Sequence, residues 1–269
     1  MRAVSLEYHD VIAAGDVDDS GFAGPDAASY KLSAAEFGRH LEAVGRTIRR
    51  PPARVIDWLR DGAAEFPLFL TFDDGGASAY TRIGDALERH GWRGHFFVTA
   101  GKIGASTFLS PPQIRALHAR GHVIGTHSHS HPTRIGACTS EQILVEWQRS
   151  TAILADIIGE PIIVGSVPGG YYRRRVGEAA ARAGMKLLFT SAPTTRCDVV
   201  DLCRVLGRYT LRSWSSAKTA SRLANAQCRP RTTQWLLYNS LALLRLMAGD
   251  RYARWRQRFW ATRARLDIS

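Results

Sequence analysis

LTFDDGG, residues 70–76, closes an apolar run (PLFLTF, residues 67–72) on two adjacent acids and two glycines. A run this short reads as one buried strand, and the glycines let the chain turn sharply at its end. Asp73 and Asp74 then emerge together at a strand terminus, where one carboxylate can hold a cation while the other stays free as a base. GTHSHSHP, residues 125–132, ends a second apolar segment on three alternating histidines. His127 and His131 are four apart, a spacing that puts two imidazoles on one face of a helical turn and suits a divalent transition metal. In an extended segment His127, His129 and His131 would face one way instead, making His129 a third candidate ligand. An Asp with two His leaves coordination positions open to water, the mark of a catalytic rather than a structural site. Each run alone has a plainer reading, since paired acids after a strand often cap or turn the chain. Both at strand ends of one domain favour the joint reading.

Outward from these runs, strand-like and helical segments alternate. RAVSLEY (2–8), HFFVTA (95–100), HVIGTH (122–127), PIIVGSV (161–167) and MKLLFTS (185–191) read as further strands. Between them, Ser33 is an N-cap for AAEFGRHLEAV, with Phe37, Leu41 and Val44 at helical spacing. AYTRIGDALERHG, SPPQIRALHARG, SEQILVEWQRSTAILADIIG and RRRVGEAAARAG complete the helical set, and a Gly- and Asp-rich loop fills about 13–28. The alternation predicts an α/β fold with a parallel sheet, open or closed into a barrel, whose chemistry sits on loops after strand C-termini. At 269 residues and 45% hydrophobic, the chain suits one such domain with a tail.

The net charge of +12 does not point to nucleic acid. From Arg204 onward there are 14 Lys and Arg against Asp250 and Asp267, which accounts for all of it, so residues 1–203 sum to zero. No nucleic-acid reading motif accompanies the basic segment. Cys138, Cys197, Cys203 and Cys228 form no CxxC pair, which argues against a zinc ribbon or a disulfide framework and suits thiols in a reducing compartment. The amino terminus lacks the apolar core of a secretory signal, and no run approaches the roughly 20 apolar residues of a membrane span. A cytoplasmic location, peripheral on the inner membrane face, is therefore expected. The tail supports the peripheral part: Tyr252, Trp255, Phe259 and Trp260 fall near one helical face among arginines, as in a helix lying on an anionic membrane, although such a face can equally pack on the body.

LTFDDGG, HFFVTAGKIG and LSPPQIRALHARGHVIGTHSHSHP with its following helix resemble the NodB-like polysaccharide deacetylases, carbohydrate esterase family four, over about residues 65–192. The resemblance implies a distorted (β/α) barrel, here residues 1–212, followed by a basic amphipathic helical tail at 213–269. It implies hydrolysis of acetamido groups on sugars with a divalent metal, most often Zn2+. By this resemblance Asp74, His127 and His131 are the metal ligands, Asp73 is the catalytic base, and His129 is a neighbour. Amide hydrolysis needs an activated water, a stabilised oxyanion and a proton for the departing amine, and these residues supply all but the last.

Two departures from the family stand out. Its acid is commonly a histidine late in the chain, yet none follows His131. His9, in EYHDV at the end of the first strand, is the candidate, as in the deacetylases of poly-N-acetylglucosamine whose acid motif is circularly permuted to the amino terminus. SVPGGYYRRR occupies the place of a motif that begins with an arginine, and Ser166 stands where that arginine would be. Arg208, in VLGRYTL, is the candidate to orient Asp73 in its stead, with Arg173, Arg174 and Arg175 as alternatives. Gly169, Gly170 and Tyr171 can bring backbone N–H groups to an oxyanion or to the sugar. The expected activity is N-deacetylation of an N-acetylated glycan, either an exopolysaccharide or its lipid-linked precursor. An amidase or esterase on another acyl substrate and a silent carbohydrate-binding homologue are the alternatives.

Overall fold

The computed structural model describes residues 1–13, 16–61 and 66–240. Its strands are β1 (Val4–Tyr8), β2 (Val11–Ile12), β3 (Leu32–Ser33), β4 (Leu68–Phe72), β5 (His95–Val98), β6 (Val123–Thr126), β7 (Val164–Ser166), β8 (Leu187–Phe189), β9 (Cys197–Val200), β10 (Cys203–Leu206) and β11 (Tyr209–Thr210). β2 and β3 pair with each other, and the rest form one sheet in the order β11-β1-β4-β5-β6-β7-β8-β10-β9. Neighbours in that sheet are parallel except in the β9–β10 hairpin. β10 and β11 belong to opposite ends of the order but are separated only by Gly207 and Arg208. At about 3.8 Å per residue the two ends must lie side by side, so the sheet curls into a distorted barrel. Its seam is stitched where Ala3 N donates to Thr195 O at 2.9 Å and Cys197 N to Met1 O at 3.2 Å.

Alternation along each strand sorts the side chains into an inner and an outer set. Ala3, Phe69, Phe97, Val123, Val164, Leu187, Phe189 and Leu206 fill the interior as one cluster. Val4, Leu6, Tyr8, Leu68, Leu70, Phe72, Phe96, Val98 and Ile124 face the other way, into a cluster shared with the helices. Continuing the inner parity along the strands gives Ser166, the last residue of β7, and, just past the C-terminal strand ends, His9, Asp73 and His127, with Arg208 two residues after Leu206. One end of the barrel interior is thus polar by sequence register.

The helices are α1 (Pro25–Ala28), α2 (Ala34–Gly45), α3 (Val55–Asp61), α4 (Gly84–Arg89), α5 (Pro111–Ala119), α6 (Ser140–Ile158), α7 (Arg174–Arg182) and α8 (Ala217–Ala224). Ser33 caps α2 as expected, its hydroxyl accepting from Glu36 N at 3.1 Å. α6 starts in a Thr139–Gln142 capping box and ends at Gly159. The expected helix over 79–91 begins instead as a π-helical stretch, Ala79–Ile83. α3 has no strong sequence signal, yet it plugs the barrel floor with Val55 and Trp58. There Val55 N donates to His95 Nε2 at 2.8 Å, while His95 Nδ1 donates to Leu70 O, so His95 is a satisfied core histidine.

The expected boundary at 212/213 falls inside the packed body. α8 buries Ala220, Leu223 and Ala224 in the cluster that also holds Phe37 and Leu41 of α2. Lys218 and Arg222 belong to the same helix, so the basic composition that marks a tail starts on an element of the domain. Residues 228–240 are helical and expose Trp235, Leu236 and Leu237 by more than half. Tyr252, Trp255, Phe259 and Trp260 lie outside the described residues. Among the described residues no helix is long and apolar enough to cross a membrane.

Candidate active site

Asp73 continues the β1–β4 ladder, its N–H donating to Tyr8 O at 3.0 Å. The chain then turns through two left-handed residues, Asp74 (φ 73°) and Gly75 (φ 79°). Aspartate tolerates that conformation better than most residues, and Gly75 is needed twice over, because a Cβ there would meet Val98 Cα at 3.0 Å. The turn separates the two carboxylates: Asp73 points into the barrel and Asp74 toward the histidine loop.

Asp74, His127 and His131 bring one ligand atom each within 4.8 Å of the others. Asp74 Oδ1 is 3.4 Å from His127 Nε2 and 3.5 Å from His131 Nε2. His127 Nδ1 donates to the carbonyl oxygen of Ser166 at 3.0 Å, which fixes the tautomer and leaves Nε2 as the free donor atom. An oxygen and two nitrogens converging this way, with a backbone acceptor behind one imidazole, fit a divalent cation such as Zn2+. Burial disfavours charge on both residues, but the pairing wins: His127 is raised above its ordinary value by Asp73 and Asp74, and Asp74 is held well below the carboxylate range by His127 and His131. The expected helical turn at 127–131 is not formed. Ser128 (φ 66°) and His131 (φ 58°) are left-handed, and this irregular turn, not an α-helical one, brings the two rings to 5.0 Å. His129 is not in the triad.

Arg208 is fully buried and forks onto Asp73, with Nη1 to Oδ1 and Nη2 to Oδ2 both at 2.7 Å. Nη2 also donates to Ser166 Oγ at 2.8 Å, and Ser166 Oγ donates to Asp73 Oδ2 at 3.1 Å. The serine in the arginine's usual place thus makes room for a guanidinium arriving from another strand end. Burial pushes the Asp73 carboxyl up, but Arg208 and then His127 outweigh it and bring it down to about 2. Arg173, Arg174 and Arg175 have no such part: Arg173 is exposed, Arg174 pairs with Glu178, and Arg175 donates to Gly136 O.

Glu7 is the site residue that sequence reasoning missed. It is buried on β1, accepts from Arg208 Nη2 at 3.2 Å, from Ser191 Oγ at 2.9 Å and from Thr210 Oγ1 at 2.6 Å, and so is a second carboxylate on the guanidinium nitrogen that also meets Asp73. Its signal was a lone acid on the inner parity of an apolar strand. His9, two residues on, follows the same parity, and Glu7, His9 and Asp73 bring ligand-type atoms within 4.8 Å of one another. The His9 ring lies 4.4 Å from the ring of Tyr30, and among the described residues its buried Nδ1 has no partner.

Asp10 was also unforeseen. It accepts from Ser20 Oγ at 2.6 Å and Ser78 Oγ at 2.7 Å, tying the 16–24 loop to the strand end. That loop lays Phe22 4.9 Å from the His131 ring as a wall of the site. The Gly169–Gly170–Tyr171 segment packs against the chain just after the histidine loop, at Thr133 and Gly136. A Cβ on Gly169 would strike Thr133 O at 2.3 Å, so close approach of two backbones already accounts for this glycine.

Residues 61–188 match the polysaccharide deacetylase family. The chain is 31% identical over 129 residues to peptidoglycan-N-acetylmuramic acid deacetylase PdaA of Bacillus subtilis, covering 47% of each chain. It therefore spans about half the length of this curated relative. Among solved structures, IcaB from Ammonifex degensii superposes with a TM-score of 0.65 at 22% identity, over 83% of this chain and 97% of that one. The Streptococcus pyogenes deacetylase PplD superposes with a TM-score of 0.64 at 18% identity, over 81% and 96%. These two likenesses concern the fold, the distorted barrel derived above. Motifs, family match and fold agree, and residues 61–188 of the chain match the polysaccharide deacetylase family whose NodB-like members the motifs resemble.

Proposed function

We propose that this protein hydrolyses the N-acetyl group of a sugar in an N-acetylated glycan, an exopolysaccharide or its lipid-linked precursor, with a divalent cation held by Asp74, His127 and His131. The observation that carries the reading is the convergence of His9 and Asp73, from different strands, on the barrel rim that also holds this triad. Bound there, a cation would supply Lewis acidity for the acetamido carbonyl and for a water, chemistry that would let as weak a base as Asp73 act. Asp73 takes the water's proton. Arg208 and Ser166 occupy three of its four lone-pair directions, leaving one on Oδ1 for that proton. The fork also fixes the plane of the carboxylate, so little orientation remains to be lost in the transition state. His9 gives its proton to the departing nitrogen. The unpartnered Nδ1 and the Tyr30 ring beside it suit a ring held in place for such a transfer.

Ser166 in place of the family's arginine would suit a silent carbohydrate-binding homologue; Arg208, meeting Asp73 with both nitrogens, supports the enzyme instead. The test of the acid is His9→Ala. With Zn2+ affinity unchanged, kcat on an N-acetylglucosamine oligomer should fall about 10²- to 10⁴-fold, the range general acid–base groups contribute. Full activity in that variant would remove His9 from the mechanism.

The basic segment supports a second, separate proposal: peripheral attachment to the anionic inner face of a membrane. Exposed Trp235, Leu236 and Leu237 precede a run rich in arginine, a combination that binds anionic lipid by area and charge together. Deleting residues 232–269 should abolish co-sedimentation with vesicles containing phosphatidylserine; equal sedimentation of the two proteins contradicts the attachment.

A further inference from the structure

We propose that Glu146 and Ser150, one turn apart on α6, are positioning residues that set the metal affinity of the Asp74–His127–His131 site. The inference rests on reading that triad as a cation site. It starts from the backbone between the two imidazoles. Ser128 and His131 are both left-handed without being glycine, asparagine or aspartate, a conformation that is unfavourable unless the surroundings over-determine it.

The amides of this turn show what does so. His127 N donates to Val98 O at 2.9 Å, Ser128 N to Thr126 Oγ1 at 3.1 Å, and His131 N to Ser128 Oγ at 3.0 Å. The remaining two converge on one oxygen: His129 N and Ser130 N donate to Glu146 Oε2 at 3.0 and 2.8 Å. Ser130 Oγ donates to the other oxygen, Oε1, at 2.7 Å. The same helix reaches the turn at a second point. Ser150 Oγ is bonded at 2.5 Å to Thr126 Oγ1, the acceptor for Ser128 N.

Residues 146 and 150 lie on one face of α6, a 19-residue helix with its first turn capped. A rigid element thus grips the ligand loop between His127 and His131. Glu146 and Ser150 bond the backbone and hydroxyls of this turn, so their effect on the cation passes through the spacing of the rings. Without Glu146, two adjacent N–H groups lose their acceptor, the turn can relax toward ordinary φ values, and His131 leaves the position it shares with Asp74.

Titrating the metal-free full-length protein with Zn2+ against a chromophoric chelator tests this, with the melting temperature of the same metal-free sample read beside it. Wild type should bind about one ion. Glu146→Ala should weaken Zn2+ binding about 10- to 100-fold, the cost typical of lost outer-shell partners, and Ser150→Ala should weaken it several-fold, with melting temperatures little changed. Glu146→Gln keeps an amide oxygen for the two N–H groups and should restore most of the affinity. A Glu146→Ala affinity within about twofold of wild type, or a Gln variant no better than Ala, overturns the inference. If Glu146→Ala does not fold, Ser150→Ala carries the test, and unchanged affinity there overturns it equally. Failure of the wild type to bind Zn2+ refutes the triad itself, a result separable because it is read on the wild type alone.

Discussion

Asp73→Asn should lower kcat about 10²- to 10⁴-fold while leaving Zn2+ affinity within a few-fold of wild type. The asymmetry follows from the turn at Asp74 and Gly75, which sends one carboxylate to the histidines and the other to Arg208. The amide that replaces the carboxylate keeps its volume and can still accept from Arg208 through its oxygen, so the fold should tolerate the change. It cannot take a proton from water. Asp74→Asn is the converse control: it weakens the cation site itself, so added Zn2+ should recover part of its activity but none of that lost with Asp73. Isothermal titration with Zn2+ alongside acetate release separates the two. Equal loss of metal binding in both variants would contradict the division of labour.

Arg208→Met carries the second large effect, and it falls on stability as well as rate. Arg208 is a buried cation between two buried carboxylates, Glu7 and Asp73. Removing it strands both charges, and breaking a buried ion pair in this way costs about 3–5 kcal/mol. Relief should come from Glu7→Gln in the same chain, because one of the stranded charges is then gone; urea denaturation of the single and double variants reads the difference. The pH profile should also move. In the wild type Asp73 is at about 2, below the roughly 3.9 of an unfolded chain. It therefore contributes stability that is present above the unfolded value and lost as pH falls through the folded one. Without Arg208, burial is opposed less, the carboxyl rises, and this contribution shrinks. The acid limb of kcat/KM should shift to higher pH in Arg208→Met, and an unmoved limb would show that the fork does not hold Asp73 ionised.

The sequence made the motif residues legible because strand-end motifs are local: LTFDDGG and GTHSHSHP each carry their chemistry within a few residues. Arg208 and His9 followed from the family resemblance through its two departures, an arginine missing at 166 and no histidine after 131, and the barrel puts both on the inner parity beside Asp73. Glu7 was readable by the same parity but needs a partner, and its partner is 201 residues away. The geometry of the histidine turn was not readable. Spacing of four fits a helix, whereas the left-handed Ser128 and His131 depend on Glu146 and Ser150 from a separate helix. The packing of α8 on the body was not legible for another physical reason. α8 is basic and short, so composition assigns it to a tail, while Ala220, Leu223 and Ala224 bury its other face against α2. α3 and the β9–β10 hairpin were missed because short elements on a barrel are defined by what they cover.

If Asp73 and the Asp74–His127–His131 triad together hydrolyse an acetamido bond, the activity must depend on both the ion and the free carboxylate. Acetate released from an N-acetylglucosamine oligomer, measured on protein stripped with a chelator and then given one equivalent of Zn2+, reads both at once. We expect no release from the stripped protein, restoration by the single equivalent, and at most about a hundredth of that rate in Asp73→Asn carrying the same ion. Equal release before and after Zn2+, or an Asp73→Asn rate equal to wild type, would contradict this mechanism.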